Sequence, residues 1–136
     1  MTFMRSALKM PDSVNRTKIL IVEDHPAMLS ALSAMLNRSF PEIRLFAAAS
    51  AEAALPLCAA ERPHLVIMDI SLIGMNGIAA TREIRAASPG TEVVIHSASD
   101  MPVYREAAAA AGAAAFVSKC DTSRDLIPTI AEILNA

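Results

Sequence analysis

A doubly wound α/β fold is what this sequence predicts, with a five-stranded parallel sheet in the order 2-1-3-4-5 and five helices. Three observations carry that reading. Short runs of aliphatic and β-branched residues recur five times, and segments with helical spacing of apolar residues lie between them. The strand runs are apolar throughout instead of alternating, as in strands covered on both faces by crossover helices. The 136 residues suit one domain, because domains cluster near ~100–150 residues. Five strands then fit the 2-1-3-4-5 order, joined by right-handed crossovers.

The elements follow in turn. Residues 1–17 read as a flexible N-terminal leader, since Pro11, Asp12, Ser13 and Asn15 break any pattern. The domain proper is 18–136. Lys18-Ile-Leu-Ile-Val22 is the first strand. Pro26 suits a first helical turn, and Met28, Leu29, Leu32, Met35 and Leu36 make one helical face. Residues 43–47 form the second strand. Ser50 is a good N-cap for a helix to about Arg62, with Pro56 expected to kink it or delay its start.

His64-Leu-Val-Ile-Met68 is the third strand, ending at Asp69. A loop holding Gly74, Asn76 and Gly77 leads to a helix near 78–87. Val93-Val-Ile95 is the fourth strand. An alanine-rich helix begins near Asp100, and Gly112 stops it. Residues 114–118 form the fifth strand. Thr122 or Ser123 caps a last helix whose apolar face is Leu126, Ile127, Ile130, Ile133 and Leu134, with Pro128 weakening its first turns.

Composition narrows the function. Twelve basic and 14 acidic residues give a net charge of −2. A nucleic-acid-binding domain usually has a basic face and a pI above ~9, so direct DNA contact by this chain is not expected. The uncharged stretches at 25–37 and 107–118 fall short of the ~20 apolar residues of a membrane span. The first residues lack the continuous apolar core of a secretory signal. Cys58 and Cys120 have no metal-ligand spacing, and free thiols in a reducing cytoplasm are the simple reading. The 27 alanines favour helices but leave the bulky core to fewer positions.

In sheets of this kind ligands bind beyond the carboxyl ends of the strands. Glu23 and Asp24 follow strand one, Asp69 follows strand three, Ser97 strand four and Lys119 strand five. The order makes those four strands neighbours. Three converging carboxylates repel one another, and each pKa rises unless a positive charge is present. A hard divalent cation answers this. Mg²⁺ takes oxygen ligands, typically one or two carboxylates plus a phosphate. Lys119 supplies a point charge for a phosphoryl oxygen, and the Ser97 hydroxyl a donor. Together these groups describe a phosphoryl-transfer site, where positioning and charge neutralisation do most of the catalysis.

Here the chain resembles the receiver (CheY-like) domain of two-component response regulators, with its flavodoxin-like fold. The matching pieces are Ile19-Leu-Ile-Val-Glu-Asp-His-Pro26, Leu65-Val-Ile-Met-Asp-Ile-Ser-Leu72 with Gly74-Met-Asn-Gly77, Val93 to Ala98, and Gly112-Ala-Ala-Ala-Phe-Val-Ser-Lys119. The motifs resemble most the receivers of LuxR/FixJ-type regulators, and the likeness spans 18–136.

The resemblance implies that Asp69 accepts a phosphoryl group from a sensor histidine kinase or phosphotransfer protein. It implies that Asp24, Glu23 through water, Asp69 and the Ser71 backbone carbonyl hold Mg²⁺. Ser97 and Lys119 would grip the phosphoryl group, and Phe116 would be the aromatic switch. The signal would leave through the fourth helix, fifth strand and fifth helix to a downstream effector protein, with homodimerisation through that face also implied. Such a domain catalyses its own phosphorylation and dephosphorylation and is not a turnover enzyme.

Two alternatives accompany this reading. One is the regulatory piece of a DNA-binding transcriptional regulator, since the β–α units occupy 18–136 and leave an output to another molecule or to chain beyond 136. The other is a non-phosphorylated scaffold. The chain departs from the usual pattern at Ile73, where proline is common, at His96, where an aliphatic residue is common, and at Cys120.

Overall fold

The computed structural model describes residues 17–72 and 74–135; the expected leader and Ile73 lie outside the described residues, save Thr17. The elements are β1 (Lys18–Val22), α1 (Pro26–Ser39), β2 (Arg44–Ala48), α2 (Ala51–Glu61), β3 (Leu65–Met68), α3 (Gly77–Ala87), β4 (Glu92–Ser97), α4 (Pro102–Ala110), β5 (Ala115–Ser118) and α5 (Ile127–Leu134). The sheet runs β2-β1-β3-β4-β5, every pairing parallel, as the strand composition predicts. The register sets Val22, Met68, Ile95 and Phe116 side by side. β1 and β3 end at this level, and β4 and β5 run two residues further, to the paired Ser97 and Ser118, so the polar groups gather at one edge of the sheet.

Two apolar layers sandwich the sheet. Leu20, Val22, Val66, Met68 and Ile95 pack with Ala54, Ile84 and Ala108, so α2, α3 and α4 cover one face. Ile19, Ile21, Ile67 and Val94 pack with Leu32, Leu36, Leu126 and Ile130, so α1 and α5 cover the other. Small alanines let α2–α4 approach closely, and branched side chains fill the opposite layer. Each fully buried Leu or Ile contributes about 2 kcal/mol of transfer free energy.

Three local expectations are corrected. Pro56 neither delays nor interrupts α2, which runs unbroken from Ala51. The Ser50 hydroxyl accepts from the Ala53 N–H at 3.1 Å, which fixes the start. The proline then forfeits one bond, that to the Glu52 carbonyl. Second, neither Thr122 nor Ser123 caps the last helix. A 3₁₀ turn (Lys119–Asp121) and a π turn (Thr122–Leu126) come first, and α5 begins at Ile127 with Pro128 in its first turn. Pro128 has no N–H for the Arg124 carbonyl, and the wider π winding accommodates that gap. Third, β4 extends through His96 and Ser97, so both stand within the sheet.

Candidate functional site

The carboxyl end of the sheet is stitched by backbone bonds. The Glu23 N–H donates to the Ala48 carbonyl at 3.0 Å and the Asp69 N–H to the Val22 carbonyl at 3.1 Å. Glu23 and Asp69 are thereby held side by side, each only 2% exposed. Lys119 arrives from the far strand, because the Ser118 hydroxyl accepts from the Cys120 N–H and turns the chain sharply. Its Nζ donates to Glu23 Oε1 at 3.1 Å and to Asp69 Oδ2 at 3.2 Å. Asp69 Oδ1 accepts from the Ser71 N–H at 3.1 Å, so the acid is gripped at both oxygens.

Two buried carboxylates share one ammonium, and the balance shows in their protonation. Burial pushes the Asp69 carboxyl up, Lys119 pulls it down and Glu23 pushes it up again, leaving it above the ordinary aspartate value. Burial also raises Glu23, but hydrogen bonds from Lys119 and His25 outweigh it and hold Glu23 below its ordinary value. Burial lowers Lys119, yet Glu23 and Asp69 together raise it, so it stays charged.

His25 closes the pocket. Its backbone N–H and its ring Nδ1 both meet Glu23 Oε2, at 3.2 and 3.0 Å, and Nδ1 lies 3.1 Å from Asp24 Oδ1. That Asp24 oxygen is shielded from solvent and accepts no hydrogen bond from the described residues. Donor atoms of Glu23, Asp24, His25 and Asp69 lie within 4.8 Å of one another. An unsatisfied carboxylate oxygen among further carboxylates suits a hard divalent cation such as Mg²⁺. Asp24, Glu23 and Asp69 are the residues that would hold it. When bound, it would neutralise negative charge on the carboxylates and on a phosphoryl group. For Ser71, the contact made is the N–H to Asp69.

Ser97 is buried beside the cluster, at the level of Ser118, and its hydroxyl accepts from the Ser99 N–H at 3.2 Å. Phe116 is half-buried against the α2–α4 layer, and the Arg105 guanidinium stacks on its ring at 4.6 Å. Among the predicted residues, then, Glu23, Asp24, Asp69 and Lys119 meet directly, while Ser97 and Phe116 stand on the adjoining strands.

Sequence reasoning passed over one supporting residue. Gly77 was legible only as a loop glycine. A Cβ there would collide with the Asp69 carbonyl oxygen, and the Gly77 N–H donates to the Ile70 carbonyl at 3.0 Å. The Asn76 side chain caps α3 through the Ala79 N–H at 2.9 Å and holds Gly77 in place. Gly77→Ala is therefore expected to cost at least about 2 kcal/mol by backbone overpacking. Urea unfolding checks this; a midpoint equal to wild type contradicts it.

His96 yields a pH prediction. Burial holds its ring well below the ordinary value, at about 4, with the Lys119 charge adding to the effect and Glu23 opposing it. Between pH 6.5 and about 4 the unfolded chain binds a proton there that the folded chain does not. Stability is unaffected by this group above that window and falls as pH drops through it, by roughly 3 kcal/mol in all. Thermal melts across the window should show His96→Gln losing less stability than wild type, and parallel curves would contradict the assignment.

The family model for the response regulator receiver domain matches residues 19–131. The transcriptional activator protein ExaE of Pseudomonas putida is 32% identical over 117 residues, 85% of this chain and 54% of that protein. The DNA-binding transcriptional activator EvgA of Escherichia coli K12 is 30% identical over 111 residues, 82% of this chain and 54% of that protein. The chain thus spans about half the length of these curated relatives. A two-component response regulator of the LuxR family from Aurantimonas sp. SI85-9A1 superposes with a TM-score of 0.82 at 30% identity, over 89% of this chain and 86% of that one. A CheY-like response regulator receiver domain protein from Methanospirillum hungatei JF-1 superposes with a TM-score of 0.82 at 26% identity, covering 89% of this chain and 95% of that one.

Proposed function

The chain belongs to the response regulator receiver domain family, and from that premise we propose that it is a phosphoacceptor switch modified on Asp69 in the presence of Mg²⁺. The single observation that carries the proposal is the contact of Lys119 Nζ with both buried acids. In the reaction an Asp69 carboxylate oxygen forms a bond to phosphorus as the donor's bond to phosphorus breaks. A phosphohistidine donor leaves as imidazole, and acetyl phosphate leaves as acetate. Lys119 meets the charge that gathers on the phosphoryl oxygens, and the Ser97 hydroxyl donates its hydrogen to one of them. Hydrolysis returns the carboxylate. This is self-modification and not turnover of a substrate.

The output follows from the same premise. Movement of Ser97 frees space toward which Phe116 turns, and this biases a two-state surface. That surface is α4, β5 and α5. In support, Met101, Val103 and Tyr104 are exposed at the start of α4, and Arg105 of the same helix stacks on Phe116. A sensor histidine kinase or phosphotransfer protein would be the donor, and an effector protein or a second copy would read the face. No helix among the described residues is long and apolar enough to cross a membrane. A cytoplasmic setting accords with such a donor. The transcriptional activity named for ExaE and EvgA belongs to those whole proteins; for this chain a regulatory role toward such an output is part of the proposal.

Incubation with acetyl phosphate tests it. Incorporation of one phosphoryl group per chain is expected with Mg²⁺ and loss of it with a chelator. A chain that binds Mg²⁺ at no site and takes no phosphoryl group is the scaffold alternative.

A further inference from the structure

His96 precedes Ser97 in β4, and its imidazole is 1% exposed. Strand alternation aims it toward the α1 and α5 side of the sheet, where it meets Thr122 in the turn after Lys119. The Thr122 hydroxyl donates its only hydrogen to the Lys119 carbonyl, at 3.0 Å. With that hydrogen committed, we assign the imidazole as donor in the 2.7 Å contact between His96 Nε2 and Thr122 Oγ1, the arrangement that satisfies both bonds. This fixes the tautomer, with the proton on Nε2.

Nδ1 is then a bare acceptor, and it is buried with no hydrogen-bond partner among the described residues. A leucine at 96 would spare the fold that unpaired nitrogen. What the histidine supplies instead is the bond to Thr122. The chain His96–Thr122–Lys119 ties the strand of Ser97 to the peptide from which the Lys119 side chain springs. Lys119 reaches both acids at 3.1 and 3.2 Å, so the peptide that carries it sets where its ammonium rests.

We propose that His96 is a positioning residue whose Nε2–H, acting through the Thr122 hydroxyl, fixes the Lys119 peptide and so the placement of its ammonium between Glu23 and Asp69. The consequence for rate rests on the phosphoacceptor reading; the placement itself does not.

The test uses the full chain and compares His96→Leu, which removes the donor, with His96→Gln, whose amide nitrogen can stand near Nε2 and donate. Thr122→Val breaks the same chain outside the strand and serves where His96→Leu fails to fold. Two readouts are taken: the nitrogen chemical shift of the Lys119 ammonium, and the phosphorylation rate with acetyl phosphate at saturating Mg²⁺. His96→Leu and Thr122→Val should both move the ammonium signal and slow phosphorylation roughly tenfold, the penalty of a small displacement. His96→Gln should restore both. An unmoved ammonium signal, or a His96→Gln variant as impaired as His96→Leu, overturns the proposal. If wild type takes no phosphoryl group, the phosphoacceptor reading fails, and the ammonium signal alone then decides for or against His96.

Discussion

Asp69→Asn is expected to abolish phosphoryl incorporation completely while raising the thermal stability of the chain. The first half follows from removing the nucleophile, since an amide oxygen at the same place cannot form the acyl phosphate. The second follows from electrostatics. Burial and the neighbouring Glu23 hold the Asp69 carboxyl above its ordinary value despite Lys119. An acid whose folded pKa is raised is disfavoured in its ionised form, so above its unfolded pKa it lowers stability. Asparagine removes that charge and leaves Glu23 and Lys119 as a neutral pair. Its single oxygen can accept from the Ser71 N–H or from Lys119, so one of those two bonds is lost and offsets part of the gain. Thermal melts at neutral pH without Mg²⁺ should show a higher midpoint than wild type. A lower midpoint would mean that the carboxylate holds the fold together and is not strained in it.

Lys119→Met should act in the opposite sense. It leaves Glu23 and Asp69 facing each other with no cation between them, and breaking a buried ion pair in this way costs about 3–5 kcal/mol. Proton uptake by Asp69 relieves part of that, so a loss of about 3 kcal/mol is expected at neutral pH. Phosphorylation should fall by orders of magnitude, because the ammonium that meets the phosphoryl oxygens is gone. Mg²⁺ should stabilise this variant more than wild type, since Lys119 no longer competes for the same carboxylates. Denaturant titrations with and without Mg²⁺ measure the two stability effects, and acetyl phosphate labelling measures the phosphorylation. Equal Mg²⁺ stabilisation of the two chains would place the ion elsewhere.

Much of this was legible in the sequence, for physical reasons. Fully apolar strands demand two covered faces, and the βαβ rule then leaves few topologies, so the strand order and the convergence of Glu23, Asp24, Asp69 and Lys119 followed. Other features depend on contacts that no local pattern encodes. Gly77 looked like any loop glycine, and only the packing of α3 under the Asp69 carbonyl reveals its need for no side chain. His96 stood out as a polar residue in an apolar strand, but its partner Thr122 lies 26 positions away across the sheet. Pro56 misled for a local reason: the N-cap at Ser50 fixes the start of α2, whereas Pro128 weakens the start of α5 as expected, with a π turn ahead of it. The stacking of Arg105 on Phe116 joins consecutive elements, but which of their residues meet depends on packing that the pattern does not encode.

The central claim is that Asp69 forms the acyl phosphate. Its most direct measurement is chemical trapping: the phosphorylated chain is reduced with borohydride, which converts an aspartyl phosphate to homoserine, and the position is read by peptide mass spectrometry. Homoserine at position 69, dependent on Mg²⁺, is the predicted result. Homoserine at 24 instead, or none at any position with Mg²⁺ and phosphodonor in excess, would contradict it.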